Sequence, residues 1–400
     1  MSIKLVNFKV DKITKLLLEF DLNENNHIGL LSGKSGIIIS LHNYCKSRLL
    51  NEDVVYSKIK LIIENCFQEL NNNNIDYSFS HGLSGFLWTL NYLIKEGVID
   101  KDIMNFSVFD KYILNRSIFE IENGNFDFIH GGQGGLMYFV DRYNGSKNYK
   151  KYINLVVDSI NNISVIDRNE NINWISRHPE TNEPFKYNLG LAQGNASIIA
   201  MLSKIVAKGI INNKIKKTLI QSVNSLLMYK LQNKKYFFPN WVDLAGSCEN
   251  SNSRLAWCNG DLGIAIAIYQ ASIVMENKEW EEIALKVLFN ACDRRNLEKE
   301  HVIEAGLCHG TSGIAHIFNR MYLSTGIEKF RETHEFWINE TLNKAKFKDG
   351  LAGFKVFHGE KYGGWKNTYG LIDGIAGINL ALMTSNNTSI LNWDKCLMIS

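Results

Sequence analysis

Proline is almost missing from this sequence. Its three occurrences in 400 residues, Pro179, Pro184 and Pro239, all fall in polar, irregular stretches. Proline removes a backbone donor and clashes with the preceding helical turn, so long proline-free segments favour helices. Long hydrophobic runs are missing too. No stretch approaches the roughly 18 apolar residues needed to span a bilayer. The opening MSIKLVNFKVDKITKLLLEF mixes charges into its apolar residues, where a signal peptide has an unbroken core. A cytoplasmic protein is expected. An excess of charge is absent as well: 44 basic against 41 acidic residues leave a formal charge of +3. With no basic stripe interleaved with aromatics, nothing calls for nucleic acid as a partner. Cysteine is sparse and odd in number, seven residues scattered through a long chain. That argues against a disulfide scaffold and for reduced thiols or metal ligands.

What is present is a repeat. Glycine, two residues, a second glycine or small residue, and then an apolar run recur seven times. The pattern appears at Gly33–Gly36, Gly82–Gly85, Gly131–Gly134, Gly194–Ser197, Gly260–Gly263, Gly310–Gly313 and Gly374–Gly377. The first glycines are 49, 49, 63, 66, 50 and 64 residues apart, somewhat longer on average than the common solenoid periods. Amphipathic segments lie between them. In 53–70, Val55, Ile59, Ile62, Cys66 and Leu70 fall on one helical face, and in 216–231 so do Leu219, Val223, Leu226 and Leu227. Each repeat thus holds an amphipathic outer helix and a short, more apolar inner helix that starts at the glycines.

Paired glycines at a helix start allow tight turns and close backbone approach, and they leave free N–H groups at the positive end of the helix. Seven such hairpins either close into a ring or stack as an open solenoid. The ring is expected: an all-α, single-domain α/α toroid over residues 1–400, with seven inner and seven outer helices and the turns gathered at one end. The stretch 161–190, with Trp174, Pro179 and Pro184, reads as an irregular loop inserted in it. Gly29–Ser35 imitates a nucleotide-binding loop, but its glycine spacing is one residue short and no strand precedes it. It is the first repeat turn.

Two turns carry metal-type ligands. The fifth reads Trp257-Cys258-Asn259-Gly260 and the sixth Leu307-Cys308-His309-Gly310. Two thiolates and an imidazole suit zinc and leave a fourth position open, whereas an ordinary buried cysteine is just a small hydrophobe. The residues alone leave both readings open.

AWCNGDLG, GLCHGTSG, NLGLAQGNAS, the SHGLSG and IHGGQGG turns and the closing LIDGIAGI, in this order along essentially the whole chain, resemble the lanthipeptide cyclase (LanC) family, as a stand-alone member. The resemblance implies an α/α toroid with one zinc ion per chain, held by Cys258, Cys308 and His309. It implies intramolecular Michael addition of cysteine thiols of a dehydrated precursor peptide to dehydroalanine or dehydrobutyrine, forming (methyl)lanthionine thioethers. Further implied partners are a dehydratase and an exporter in a membrane-associated complex, with the protein peripheral at the inner face of the membrane through them. Asp127 matches a family aspartate that orients groups or accepts a proton; as a helix cap it would be purely structural. Arg254 matches a family arginine that stabilises the enolate or pairs with Asp127; otherwise it is a surface arginine.

Gln193 departs from the family's alanine-histidine-glycine pattern: Ala192-Gln193-Gly194 replaces it, and glutamine is no titratable acid. His130 and His81, each just before a glycine turn, are candidate substitutes or structural histidines. The departure keeps a degenerate, zinc-holding scaffold as an alternative, and a protein that adds glutathione to dehydrated residues as another. A glycosidase is disfavoured because no convincing carboxylate pair is present.

Overall fold

A computed structural model describes residues 3–48, 52–71, 76–166, 170–176, 186–232, 235–248, 252–386 and 388–400. Fourteen α-helices occur among these residues. Seven start at the glycine motifs: α2 (Lys34–Arg48), α4 (Leu83–Lys95), α6 (Gln133–Arg142), α8 (Asn195–Ala207), α10 (Asp261–Met275), α12 (Thr311–Thr325) and α14 (Ile375–Asn386). They alternate strictly with α1 (Ile3–Leu18), α3 (Glu52–Asn71), α5 (Ser107–Glu122), α7 (Lys147–Asn162), α9 (Asn213–Met228), α11 (Lys278–Asp293) and α13 (Glu328–Asn343).

The two sets differ in burial as the patterning requires. Every residue of α4 from Leu83 to Leu93 is buried, while α7 buries only Ile153, Val156, Val157, Ser159 and Ile160. An amphipathic helix gains its stability from the face it packs, at about 1.5–3 kcal/mol for each large apolar side chain removed from water.

Why glycine recurs at the second motif position is clear at Gly377. A Cβ there would overlap the Leu371 carbonyl oxygen and the Leu307 side chain. The residue after the first glycine has its own role in four repeats. It is a buried polar side chain tied to another element: Lys34 to Asn65 of α3, Asn195 to Asn173, Asp261 to Arg294 just after α11, and Thr311 to Thr341 of α13. Lys34 is thus a buried structural cation, 3.7 Å from Glu69.

Two compact units make up the chain. The first joins Met1–Lys101 with Asn296–Asp394 and holds α1–α4 and α12–α14. Its core includes Phe79, Phe86, Trp88, Trp337 and Trp393, and its hairpin pairs β5 (Val356–Phe357) with β6 (Trp365–Lys366). The second joins Asp102–Arg295 with Lys395–Ser400 and holds α5–α11. Its core includes Phe126, Phe128, Tyr138, Phe139, Trp174 and Trp257.

The second unit also carries two antiparallel pairs, β1 (Val165–Ile166) with β2 (Ile172–Asn173) and β3 (Lys186–Asn188) with β4 (Trp241–Asp243). The stretch 161–190 therefore contains three short strands. Trp174 is buried there and its indole N–H donates to the Ile160 carbonyl at 2.8 Å. Pro179 and Pro184 lie outside the described residues.

Candidate metal centre and its surroundings

Backbone hydrogen bonds zip successive glycine turns together within each unit. In the second unit, Phe128 N–H donates to the Ala192 carbonyl (3.2 Å) and Ala192 N–H to the Cys258 carbonyl (3.1 Å). In the first, Leu307 and Cys308 N–H both donate to the Ile372 carbonyl (3.0 Å each), Leu371 and Ile372 N–H to that of Leu31 (2.8 Å each), and Leu30 N–H to that of Phe79 (3.0 Å). Buried backbone groups need such partners. The zippering also fixes the backbone on which both cysteines stand.

Cys258 sits near the tip of a loop closed by a bridge between Leu255 and Gly260. Gly260 has φ +94°, open to glycine and strained for other residues, and its missing side chain gives room to the Arg254 backbone. The Cys258 thiol is buried, that of Cys308 half-buried, and both are reduced. Next to Cys308, the His309 Nε2 lies 3.6 Å from Oε1 of Glu304. Glu304 is 1% exposed, and its other oxygen accepts the Gly306 N–H at 2.7 Å. At 3.6 Å the contact with His309 is an ion-pair distance, longer than a hydrogen bond. Cys308 and His309 are adjacent on the sixth turn, in the first unit, and Cys258 stands at the equivalent place on the fifth turn, in the second.

Asp127 and Gln193 share a cavity of about 390 Å³ in the second unit, lined also by Asn125, Ser176, Asn188 and Trp241. The Asp127 Oδ1 accepts the N–H groups of His130 (2.6 Å) and Gly131 (3.1 Å). Burial raises its pKa above the usual carboxylate value, against the lowering pull of these N–H donors and the His130 ring. His130 itself is exposed. Arg254 is half-buried and makes no ion pair with Asp127 or any other acid among the described residues. His81 lies 3.9 Å from the Asp76 carboxylate, with its ring 4.4 Å from that of His27.

A family model described as lanthionine synthetase C-like protein matches residues 2–104 and 105–398. This chain belongs to that family. Nisin biosynthesis protein NisC of Lactococcus lactis subsp. lactis is 25% identical over 399 residues, covering 91% of this chain and 86% of its own. The solved structure of a nisin cyclase superposes with a TM-score of 0.78 at 20% identity, over 98% of this chain and 97% of its own. The fold is the α/α toroid expected from the repeats, and the chain is a LanC-type cyclase.

Gln193 stands in a half-buried position in the cavity with Asp127. Ser197, in the fourth motif's second glycine position, donates its hydroxyl to Gly194 O (2.6 Å) and accepts from the buried Gln133 amide (2.7 Å). Glu304 went unrecognised in the sequence. Its only signal was an acid four residues before Cys308, within an otherwise apolar IEAGL.

Proposed function

We propose that this cyclase holds one zinc ion on Cys258, Cys308 and His309 and closes thioether rings in a dehydrated precursor peptide. The observation that carries the reading is the donor set. Two equivalent glycine turns each present a reduced cysteine two residues before the first glycine, and His309 directly follows the second of them. Two thiols and one imidazole fit zinc and leave a place for a fourth ligand. Bound there, the ion supplies a positive charge that keeps a substrate thiol deprotonated near neutral pH.

The reaction is an intramolecular Michael addition. The substrate sulfur bonds to the β carbon of dehydroalanine or dehydrobutyrine, the alkene electrons move onto the carbonyl oxygen, and a proton then reaches the α carbon. The thiol's lost proton balances the one gained. Glu304 holds His309 in position. Arg254, with no ion-pair partner among the described residues, offers its guanidinium to the enolate oxygen. Gln193 donates a hydrogen bond without titrating. Asp127, the titratable group in the cavity with Gln193, stays protonated to higher pH than an ordinary carboxyl and is suited to deliver the proton. His130, being exposed, serves through its backbone N–H to Asp127.

The proposed setting is cytoplasmic, with a dehydratase and an exporter as partners that bring the protein to the inner face of the membrane. No helix of the described residues is long and apolar enough to cross one. The test is to incubate the purified protein with dehydrated precursor and count free thiols by alkylation and mass spectrometry. One thiol should vanish per ring. No loss beyond an enzyme-free control would overturn the cyclase reading and leave the scaffold, favoured by Gln193. A parallel arm with glutathione should give no adducts.

A further inference from the structure

The loop that presents Cys258 is closed at its base by a buried ion pair. Asp261, fully buried, opens α10, and Arg294, 5% exposed, follows α11. The Arg294 Nη1 donates to Asp261 Oδ2 at 2.8 Å, and its Nη2 donates to the Ser253 carbonyl. Asp261 N–H donates to the Ser253 hydroxyl at 2.8 Å, so Ser253, Asp261 and Arg294 form one closed triangle. The other carboxylate oxygen accepts the Phe238 N–H at 2.9 Å and that of Phe237 at 3.2 Å. Within this base lies the Leu255–Gly260 bridge, and then the tip, Trp257-Cys258-Asn259. The tip has two holds of its own: the Trp257 indole N–H on the Leu397 carbonyl (2.7 Å) and the Cys258 carbonyl under the Ala192 N–H.

We infer that Asp261 and Arg294 are positioning residues for the Cys258 ligand and for Arg254, which lies inside the same loop. The inference rests on the zinc reading above. A ligand thiol must be held to within a fraction of an ångström for a metal to bind tightly, and a loop of this length has no rigidity of its own. The clamp supplies it through charge-assisted hydrogen bonds, which are shorter and about twice as strong as neutral ones. Asp261 has no side-chain route to the metal group itself, because its oxygens are taken by Arg294, Phe237 and Phe238. It acts through the backbone that carries Cys258. The first-turn tie, Lys34 with Asn65, occupies the same repeat position but holds a turn with no ligand, and so provides the comparison.

Zinc affinity is measured by chelator competition on the full chain, and the cobalt-substituted protein is scanned for its sulfur-to-cobalt absorption. Asp261→Asn should weaken zinc binding by about ten- to a hundred-fold and reduce the sulfur-to-cobalt absorption per metal. Ser253→Ala, a milder cut in the same triangle, should weaken it in the same direction and remains readable if Asp261→Asn does not fold. Asn65→Ala should lower the melting temperature yet leave zinc affinity unchanged. If wild-type protein binds no zinc, the zinc reading itself fails. If wild type binds zinc and the folded clamp variants keep its affinity, or if Asn65→Ala weakens zinc as much as they do, the positioning inference is overturned while the zinc reading stands.

Discussion

At the residue scale, the candidate centre is defined by chemistry that few side chains share. Cys258 and Cys308 stand apart from Cys45, Cys66, Cys292 and Cys396, which are buried hydrophobes. Burial pushes the Cys66 thiol up to about 12, far from thiolate chemistry at neutral pH. Changing Cys258 and Cys308 together to alanine should reduce zinc from about one per chain to background by elemental analysis; undiminished zinc would overturn the ligand assignment. Gln193→His places an imidazole where the cavity holds an amide, and cyclisation should run at least as fast as in wild type. A loss beyond about tenfold, or about 1.4 kcal/mol of barrier, would show that the cavity has been rebuilt around glutamine. The cysteines were legible in the sequence because identical spacing to a glycine marks equivalent places. Glu304 was not, because only packing turns an isolated acid into a neighbour of His309.

Elements are held in place by what the glycines leave out. At Gly377 a methyl group would meet the Leu371 carbonyl, a backbone atom that cannot swing away. Gly377→Ala should therefore cost roughly 2–4 kcal/mol of stability, read as a shift in the urea midpoint; a change within about 0.5 kcal/mol would contradict it. The fourth motif meets the same demand differently, with Ser197 bonded to Gly194 and Gln133.

Between α12 and α13, His334 is buried with its Nδ1 2.9 Å from the Ala315 carbonyl, and burial pushes its pKa down from 6.5 to about 4. The unfolded chain therefore takes up this proton first. Stability from the neutral ring is complete above pH 6.5 and falls as pH drops toward 4. Wild type should lose roughly 2 kcal/mol between pH 8 and 5 from this group, a loss absent in His334→Gln; equal losses in both proteins would rule the histidine out. The helices themselves were readable from 3.6-residue periodicity. The short strands of 161–190 were not, since two- and three-residue pairs carry no periodic signal of their own.

For the molecule as a whole, acid stability ends on a buried charge cluster in the first unit. Asp394 is fully buried, bonded to Arg320 and to His316 Nε2 at 2.7 Å, and the hydrogen bonds from these two side chains hold its pKa down to about 2 in spite of burial. A depressed acid stabilises above its unfolded pKa, near 3.8, and the contribution disappears as pH falls through 2. Unfolding scans should show a further loss of roughly 2 kcal/mol in that window, absent in a folded Asp394→Asn protein already weaker at pH 7. A zinc ion bound to the native state alone adds stability by mass action, so chelation at pH 7 should also lower the melting temperature.

By itself the sequence determined the alternation of amphipathic and glycine-led helices, the seven turns and the places where ligand-type residues interrupt them. Such features follow from local spacing, and local spacing is what a chain displays without folding. Only the tertiary structure decided that Asp127 and Gln193 share a cavity, that Glu304 stands by His309, and that Arg294 closes on Asp261 from 33 residues away. Those encounters depend on side chains packed across separate turns, where sequence separation no longer measures distance.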